Sequence, residues 1–155
     1  MQPLADAGFW VVSVDMPGWG QSILRKRERL INGNAVTAVS QILDALEVET
    51  AVLMGKSWGG GVALNLALQE PSRVNKLILT APAWQNGTEA LQALTQPVLM
   101  AWSKDDTVIP YSYAQPYSTA IPNCQLESYE TGGHSAAPQN AADFAPKAIK
   151  FLKGK

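Results

Sequence analysis

The amino-acid sequence predicts an α/β fold, a three-layer α/β/α sandwich built around a mostly parallel sheet. Short apolar segments alternate along the chain with longer segments whose apolar residues recur at helical spacing. Each short segment is a nearly continuous apolar run, which is typical of a parallel strand covered by helices on both faces. With 155 residues, 46% of them hydrophobic and 16% charged, the chain is expected to form one globular domain, residues 1–155.

Four elements are predicted in the first half of the chain. Phe9 to Val14 is rich in aromatic and β-branched residues and is followed by turn-forming residues, so it is predicted to be a strand. Asn34 to Leu46 has apolar residues at helical spacing and is predicted to be a helix, with Asn34 as its N-cap. Ala51 to Met54 is predicted to be a strand, and Trp58 to Leu68 the helix after it.

The second half continues the alternation, with three predicted strands and an amphipathic C-terminal helix: Lys76 to Thr80, Val98 to Trp102, Gln125 to Tyr129 and Ala141 to Leu152. Parallel sheets place ligands outside the carboxyl ends of their strands, because the loops converge there and helix N-termini present free N–H groups. The polar motifs of this sequence follow strand ends. We therefore expect the functional site at that edge of the sheet.

The most informative motif is the G-x-S-x-G segment Gly55-Lys56-Ser57-Trp58-Gly59, between a predicted strand and a predicted helix. A turn this tight is expected to leave no room for side chains at Gly55 and Gly59 and to project the Ser57 hydroxyl clear of the backbone. The helix starting at Trp58 adds a positive dipole end and a backbone N–H suited to an oxyanion. Ser57 is therefore the candidate nucleophile.

Two other interpretations of this motif compete. Gly-Lys-Ser also ends a phosphate-binding P-loop, but that motif needs a glycine five positions before Gly55, where the chain has Thr50. It also needs a loop where residues 51–54 are predicted to be a strand. Chance placement of Ser57 is the second alternative, and only partner residues can exclude it.

A serine hydroxyl is a weak nucleophile at neutral pH, so it needs a base and an acid that orients the base. His134, the single histidine of the chain, lies in a glycine-rich loop after the last predicted strand. A lone histidine is more often structural, but this loop falls at the carboxyl edge of the sheet. For the acid, Asp105 and Asp106 follow another predicted strand, and one of the two is expected to face His134.

Nearly the whole chain resembles the α/β-hydrolase superfamily. Residues 15–22 (DMPGWGQS) are similar to its D-x-P-G-x-G-x-S loop, residues 55–59 to its nucleophile elbow, and residues 71–74 (PSRV) to its P-x-x-V lead into the next strand. Residues 102–110 are similar to its W-G-x-x-D-x-x-x-P acid loop, with serine in place of the glycine, and residues 133–134 to the G-H of its base loop. The set of motifs is specific, whereas any one of them alone is not.

The resemblance implies a serine hydrolase that cleaves small carboxylic esters or thioesters through an acyl-enzyme. Its acid loop selects Asp106, with Asp105 as the fallback, so the implied catalytic triad is Ser57, His134 and Asp106. The backbone N–H of Trp58 is the implied oxyanion donor. Related sites also carry out acyl transfer, cofactor-free haloperoxidation and carbon–carbon bond cleavage, and the sequence does not choose among these reactions.

The chain departs from the family pattern in two places. Between Pro82 and Gln96 it has a short connection where many members insert a helical cap, so we expect an open site, similar in layout to the CCG1-interacting factor B-like hydrolases. The family's sheet also has a strand, ending in a His-Gly oxyanion loop, between the counterparts of residues 9–14 and 51–54. The sequence begins after the counterpart of that strand, so we expect the second oxyanion donor to be missing too.

Three arrangements would accommodate the missing strand. The strands at residues 9–14 and 51–54 pair directly, another chain supplies the strand, or Met1 is an internal start of a longer protein. The alternative function is correspondingly a catalytically impaired remnant or a protein-interaction module. Its partner would be a second copy in a homo-oligomer or a chain that supplies the strand.

Composition limits the ligands and partners. The formal net charge of −1 provides no positive field, so we expect a small-molecule acyl substrate and neither nucleic acid nor membrane as partners. Cys124 is the only cysteine, which excludes an internal disulfide and a cysteine zinc site, and no cofactor or metal is expected. With no signal-peptide pattern at the N-terminus, the protein is expected to be cytoplasmic.

Four candidate substrate contacts remain. Lys56 stands beside the nucleophile and is a candidate contact for an anionic substrate, although side chains at this position usually pack or point to solvent. Trp19 and Trp84 are candidate apolar walls on loops near the site. The basic run at residues 25–29 (RKRER) is interpreted as a solvated face and kept as a further candidate contact for an anion.

Overall fold

The computed structural model describes residues 1–22 and 32–154. Its centre is a parallel sheet of four strands, in the spatial order β1-β2-β3-β4. The strands are β1 (Ala51–Lys56), β2 (Val74–Thr80), β3 (Val98–Ser103) and β4 (Cys124–Tyr129). The α-helices in the described residues are α1 (Gln2–Asp6), α2 (Asn32–Ala45), α3 (Trp58–Gln69), α4 (Ala114–Ala120), α5 (Ala136–Gln139) and α6 (Ala141–Lys153). The predicted α/β class with a parallel sheet is confirmed.

Two buried clusters lie on opposite faces of the sheet. Alternate residues of a strand point to opposite faces, so Leu77 and Leu79 of β2 enter the first core cluster whereas Ile78 enters the second. The first core cluster also takes apolar residues from α2, α3 and α4, and the second is filled mainly by α5 and α6. Helices thus cover both faces, and all six residues of β3 are buried.

The predicted strand at Phe9–Val14 is wrong: residues 9–16 have no regular secondary structure. A strand requires ladder hydrogen bonds to a neighbour, and no strand of the described residues lies beside this segment. Trp10 and Val12 are accordingly exposed, by 71% and 46%. Direct pairing of this segment with the predicted strand at residues 51–54 is therefore wrong as well, because β1 pairs only with β2 in the part of the chain that is described.

The other predicted elements lie where the sequence placed them, with small shifts at their ends. β1 continues to Lys56, immediately before Ser57. The helix α2 begins at Asn32, so Asn34 lies within its first turn and is not the N-cap. Of the helices in residues 1–22 and 32–154, none is both long and apolar enough to cross a lipid bilayer. The basic run at residues 25–29 lies outside the described residues.

Candidate active site

Ser57 forms the whole connection between β1, which ends at Lys56, and α3, which begins at Trp58. Its backbone has φ 53° and ψ −121°, a combination that costs energy in any residue with a side chain. Two hydrogen bonds hold the turn in place: the Ser57 N–H donates to the Thr80 carbonyl at 2.9 Å, and the Ala83 N–H donates to the Ser57 carbonyl at 2.8 Å. The sharp turn expected around Ser57 is thus present.

Steric contacts exclude a side chain at only one of the two glycines of the G-x-S-x-G motif. A Cβ atom at Gly55 would lie 2.4 Å from the carbonyl oxygen of Gly59, so Gly55 must lack a side chain. A Cβ atom at Gly59 would meet no atom within 4 Å, and the expectation that Gly59 cannot carry a side chain is wrong. Sequence reasoning missed Gly61, where a Cβ atom would lie 2.2 Å from the Ala83 carbonyl oxygen. The first turn of α3 therefore packs directly against the chain that follows β2.

Asp106 and His134 form a hydrogen-bonded pair, with Asp106 Oδ2 2.9 Å from His134 Nδ1. The other carboxylate oxygen, Oδ1, accepts the N–H groups of Val108 at 2.8 Å and Ile109 at 3.0 Å. Burial raises the pKa of the Asp106 carboxyl, but the hydrogen bonds from His134, Ile109 and Val108 together outweigh it and hold that pKa below its ordinary value. Asp106 is therefore an oriented, ionised acceptor for the imidazole.

The second ring nitrogen of His134, Nε2, is buried and forms no hydrogen bond with any described residue. When Nδ1 donates to a carboxylate, the neutral ring carries its proton there and Nε2 has a free lone pair. Nε2 is thus able to accept a proton from a nearby group. Among the described residues, no hydrogen bond joins this nitrogen to Ser57.

The loop that carries His134 also contacts the turn that carries Ser57. Lys56 Nζ donates to Ser135 Oγ at 3.1 Å, so the residue before the serine is bonded to the residue after the histidine. The structure therefore brings His134 and Asp106 into direct contact. A hydrogen bond also connects the loop of His134 to the turn at Ser57.

Asp105 does not bond the imidazole. Its carboxylate accepts the backbone N–H groups of Gly132 and Gly133, at 3.3 Å and 2.8 Å. The expectation that one of the two adjacent carboxylates faces the histidine fits this geometry, with Asp106 as that residue. The contact of Asp105 with the glycines was missed at the sequence level, because it depends on the distance between two loops.

The candidate substrate contacts have different positions. Trp19 is 59% exposed and stacks on Trp58, with ring centroids 5.7 Å apart, so both rings form an aromatic surface beside Ser57. Trp84 is only 8% exposed, packs in the first core cluster and donates its indole N–H to the Gly87 carbonyl. Trp84 is therefore a core residue, which corrects its interpretation as an open wall of the site.

Trp58 is the first residue of α3, where the helix itself provides no acceptor for the backbone N–H. That N–H group lies next to Ser57 in the chain. Within residues 1–22 and 32–154, no three His, Cys, Asp or Glu side chains lie close enough together to hold a metal ion.

Comparison with known proteins identifies the family of the chain. The family model of the alpha/beta hydrolase fold matches residues 1–93, more than half of the chain. A 2-hydroxy-6-oxononadienedioate/2-hydroxy-6-oxononatrienedioate hydrolase 1 of Dechloromonas aromatica (strain RCB) is 38% identical, over 98% of this chain and 79% of its own length. A 2-hydroxy-6-oxo-6-phenylhexa-2,4-dienoate hydrolase of Comamonas testosteroni is 40% identical over 83 residues, 52% of this chain. This match spans only 28% of the Comamonas protein.

A solved structure gives the same result for the fold. The crystal structure of a predicted CIB-like hydrolase from Thermoplasma acidophilum superposes with a TM-score of 0.84 at 28% sequence identity, covering 90% of this chain and 70% of that one. The match to the family model, the Dechloromonas relative and this structural similarity together show that the present chain belongs to the α/β-hydrolase fold family.

Proposed function

We propose that the chain is a serine hydrolase that cleaves small carboxylic esters or thioesters, with Ser57, His134 and Asp106 as its catalytic triad. The observation that carries the proposal is the buried Asp106–His134 pair, whose free Nε2 atom belongs to a loop bonded to the turn at Ser57. A serine on a strained turn, an oriented imidazole and an ionised carboxylate are the groups that acyl transfer to a hydroxyl requires.

In the proposed mechanism, His134 Nε2 takes the proton of the Ser57 hydroxyl while Oγ attacks the carbonyl carbon of the substrate. The Trp58 N–H donates to the resulting oxyanion. The imidazolium then gives its proton to the departing alcohol or thiol, leaving an acyl group on Oγ. Water, deprotonated by the same Nε2 atom, attacks this ester to form a second tetrahedral intermediate. The imidazolium gives its proton to Oγ as this intermediate collapses, which releases the carboxylic acid and the free serine.

Two features bear on the rate and the substrate. Trp58 is the only donor that we assign to the oxyanion among the described residues, and loss of one donor costs about 100- to 1,000-fold in rate in a serine protease. The relatives are named as hydrolases of 2-hydroxy-6-oxo-dienoates, so such a compound belongs among the test substrates. Lys56 and the Trp19–Trp58 surface are the proposed contacts for its anionic and apolar parts.

The decisive experiment is labelling with a fluorophosphonate probe, followed by mass spectrometry of the modified peptide. We expect the label on Ser57, and we expect Ser57→Ala to lose both labelling and hydrolysis of p-nitrophenyl acetate, a thioester and 2-hydroxy-6-oxo-6-phenylhexa-2,4-dienoate. Ser118→Ala, on α4, is the matched serine control and should keep both. An unlabelled Ser57, with unchanged hydrolysis by Ser57→Ala, would show that the proposal is wrong.

A second candidate function is self-association through the free edge of the sheet. A groove of about 670 Å³ separates β1 from the segment at residues 9–16, and both sides of the groove are apolar. On β1, Val52 and Met54 are 40% and 57% exposed. An apolar edge strand without charges along most of its length is a template for another strand, and we propose a second copy of this chain as the occupant.

Size-exclusion chromatography with light scattering tests this second candidate. We expect a dimer that Val52→Lys converts to a monomer, because a charge on an edge strand opposes strand addition. A chain that is monomeric, folds cooperatively and is active would overturn the self-association proposal and leave the hydrolase proposal in place.

A further inference from the structure

The two adjacent carboxylates after β3 both bind the loop that carries His134, but at different atoms. Asp106 bonds the imidazole ring, whereas Asp105 accepts the backbone N–H groups of Gly132 and Gly133, the two residues immediately before His134. One carboxylate therefore orients the ring and its neighbour holds the backbone from which the ring projects.

The glycine backbone is shaped to hold a carboxylate. Gly132 has φ 136° and Gly133 has φ 53°, both in the region that favours glycine, and the backbone N–H groups of both residues donate to the same Asp105 carboxylate. Bonds from N–H groups to an ionised carboxylate are shorter and stronger than bonds between neutral groups. A Cβ atom at Gly132 would also lie 2.7 Å from Ser103 Oγ, so the backbone is closely confined there.

We propose that Asp105 is a positioning residue for His134, an inference that rests on the proposed hydrolase function. Among the described residues, the hydrogen bonds of the Asp105 carboxylate go to backbone N–H groups, and Asp105 takes no part in proton transfer. Its two hydrogen bonds fix the start of the base loop relative to the acid loop, and this fixes the distance between the ring and Asp106. Without them, the imidazole samples positions in which Nδ1 is not bonded to Asp106.

A second contact between the same two loops provides the matched control. Lys104 and Glu130 form an ion pair through exposed side chains. Lys104 lies one residue before Asp105, and Glu130 lies three residues before Gly133. That pair does not contact the backbone at Gly132 or Gly133, and exposed ion pairs contribute little to stability. Lys104→Ala therefore removes a link between the loops and leaves the support of the histidine backbone intact.

The first measurement is kinetic. We expect Asp105→Ala to lower kcat by up to about 100-fold with KM changed by less than about twofold, because displacement of a catalytic group by about 1 Å affects the chemical step more than binding. Asp105→Asn keeps one acceptor oxygen and should lose less. Lys104→Ala should retain the wild-type kcat. Equal kcat values for Asp105→Ala and Lys104→Ala would overturn the proposal.

The second measurement does not require turnover. Because His134 is the only histidine, the ¹⁵N chemical shifts of its ring report the tautomer of this residue alone. We expect mainly the Nδ1–H tautomer in the wild type and in Lys104→Ala, and a mixture of tautomers in Asp105→Ala. Asp105→Asn should show a smaller change in the same direction. An unchanged tautomer in a folded Asp105→Ala or, if that variant does not fold, in Asp105→Asn would overturn the proposal. Failure of the hydrolase function would appear instead as an unlabelled Ser57 in the wild type.

Discussion

His134 Nδ1 lies 2.9 Å from Asp106 Oδ2, and the Asp106 side chain is fully buried while that of His134 is 17% exposed. A buried carboxylate is costly unless its oxygens are hydrogen-bonded. Here Asp106 Oδ1 accepts hydrogen bonds from two backbone N–H groups, so Oδ2 remains for the imidazole. The acid loop is thus organised around one contact with the ring.

Asp106→Asn tests the chemical role of this contact. An amide at this position can offer its NH₂ group to Nδ1, which favours the tautomer with the proton on Nε2, and that tautomer cannot accept the serine proton. We expect kcat for the best ester substrate to fall by about 1,000- to 10,000-fold, as for the corresponding change in a serine protease. Asp143→Asn, at a surface hydrogen bond with Tyr129, is the control and should keep the wild-type rate. A wild-type kcat in Asp106→Asn would contradict the proposed triad.

The same residue should make stability depend on pH. Because the pKa of Asp106 is lowered in the folded chain, the unfolded chain binds this proton more readily. Its contribution to stability is fully present above the unfolded pKa of about 4 and is lost as the pH falls through the lower, folded pKa. We expect the urea midpoint of the wild type to decline more steeply than that of Asp106→Asn as the pH is lowered below about 5.

Other carboxyls titrate in the same range and are present in both proteins. The pKa of Asp143, for example, is lowered by its hydrogen bonds from Lys147 and Tyr129. Such contributions cancel in the difference between the wild type and Asp106→Asn. Parallel pH curves for the two proteins would contradict the prediction.

Gly59→Ala and Gly61→Ala should change stability in opposite directions. The Gly61 variant places a Cβ atom 2.2 Å from the Ala83 carbonyl oxygen and should be destabilised by about 1–3 kcal/mol. At Gly59, a Cβ atom meets no other atom within 4 Å, and alanine is favoured over glycine in a helix by about 0.5–1 kcal/mol. Urea unfolding of both variants measures the difference. A Gly61 variant as stable as the Gly59 variant would show that the packing of α3 against Ala83 is looser than described.

Cys124 should react slowly in the folded protein. It is the first residue of β4 and packs against the first core cluster, and burial raises the pKa of its thiol to about 12. The thiolate is the reactive form, so little of it is present at pH 8. We expect slow modification by 5,5′-dithiobis(2-nitrobenzoate) in native protein and rapid modification in urea. Since Cys124 is the only cysteine, the absorbance change reports this residue alone, and equal rates would disprove the burial argument.

The sequence by itself determined the α/β class, the four strands of the sheet and the identities of Ser57, His134 and the two candidate acids, because these depend on local periodicity and on short motifs at strand ends. It failed at residues 9–14, which were predicted to be a strand and have no regular secondary structure. The β-branched and aromatic residues there favour a strand, but a strand forms only beside a neighbour that completes its hydrogen bonds.

Only the tertiary structure decided how the loops meet. The sequence places Asp105 and Asp106 side by side, and local chemistry does not distinguish them. In the folded chain, Asp106 is hydrogen-bonded to the imidazole of His134, and Asp105 accepts hydrogen bonds from the backbone of Gly132 and Gly133. Likewise, Trp84 is an aromatic residue on a loop in the sequence and a core residue in the fold. The physical reason is the same in these cases. The packing of the sheet and helices sets the distances between loops, and no local sequence pattern specifies those distances.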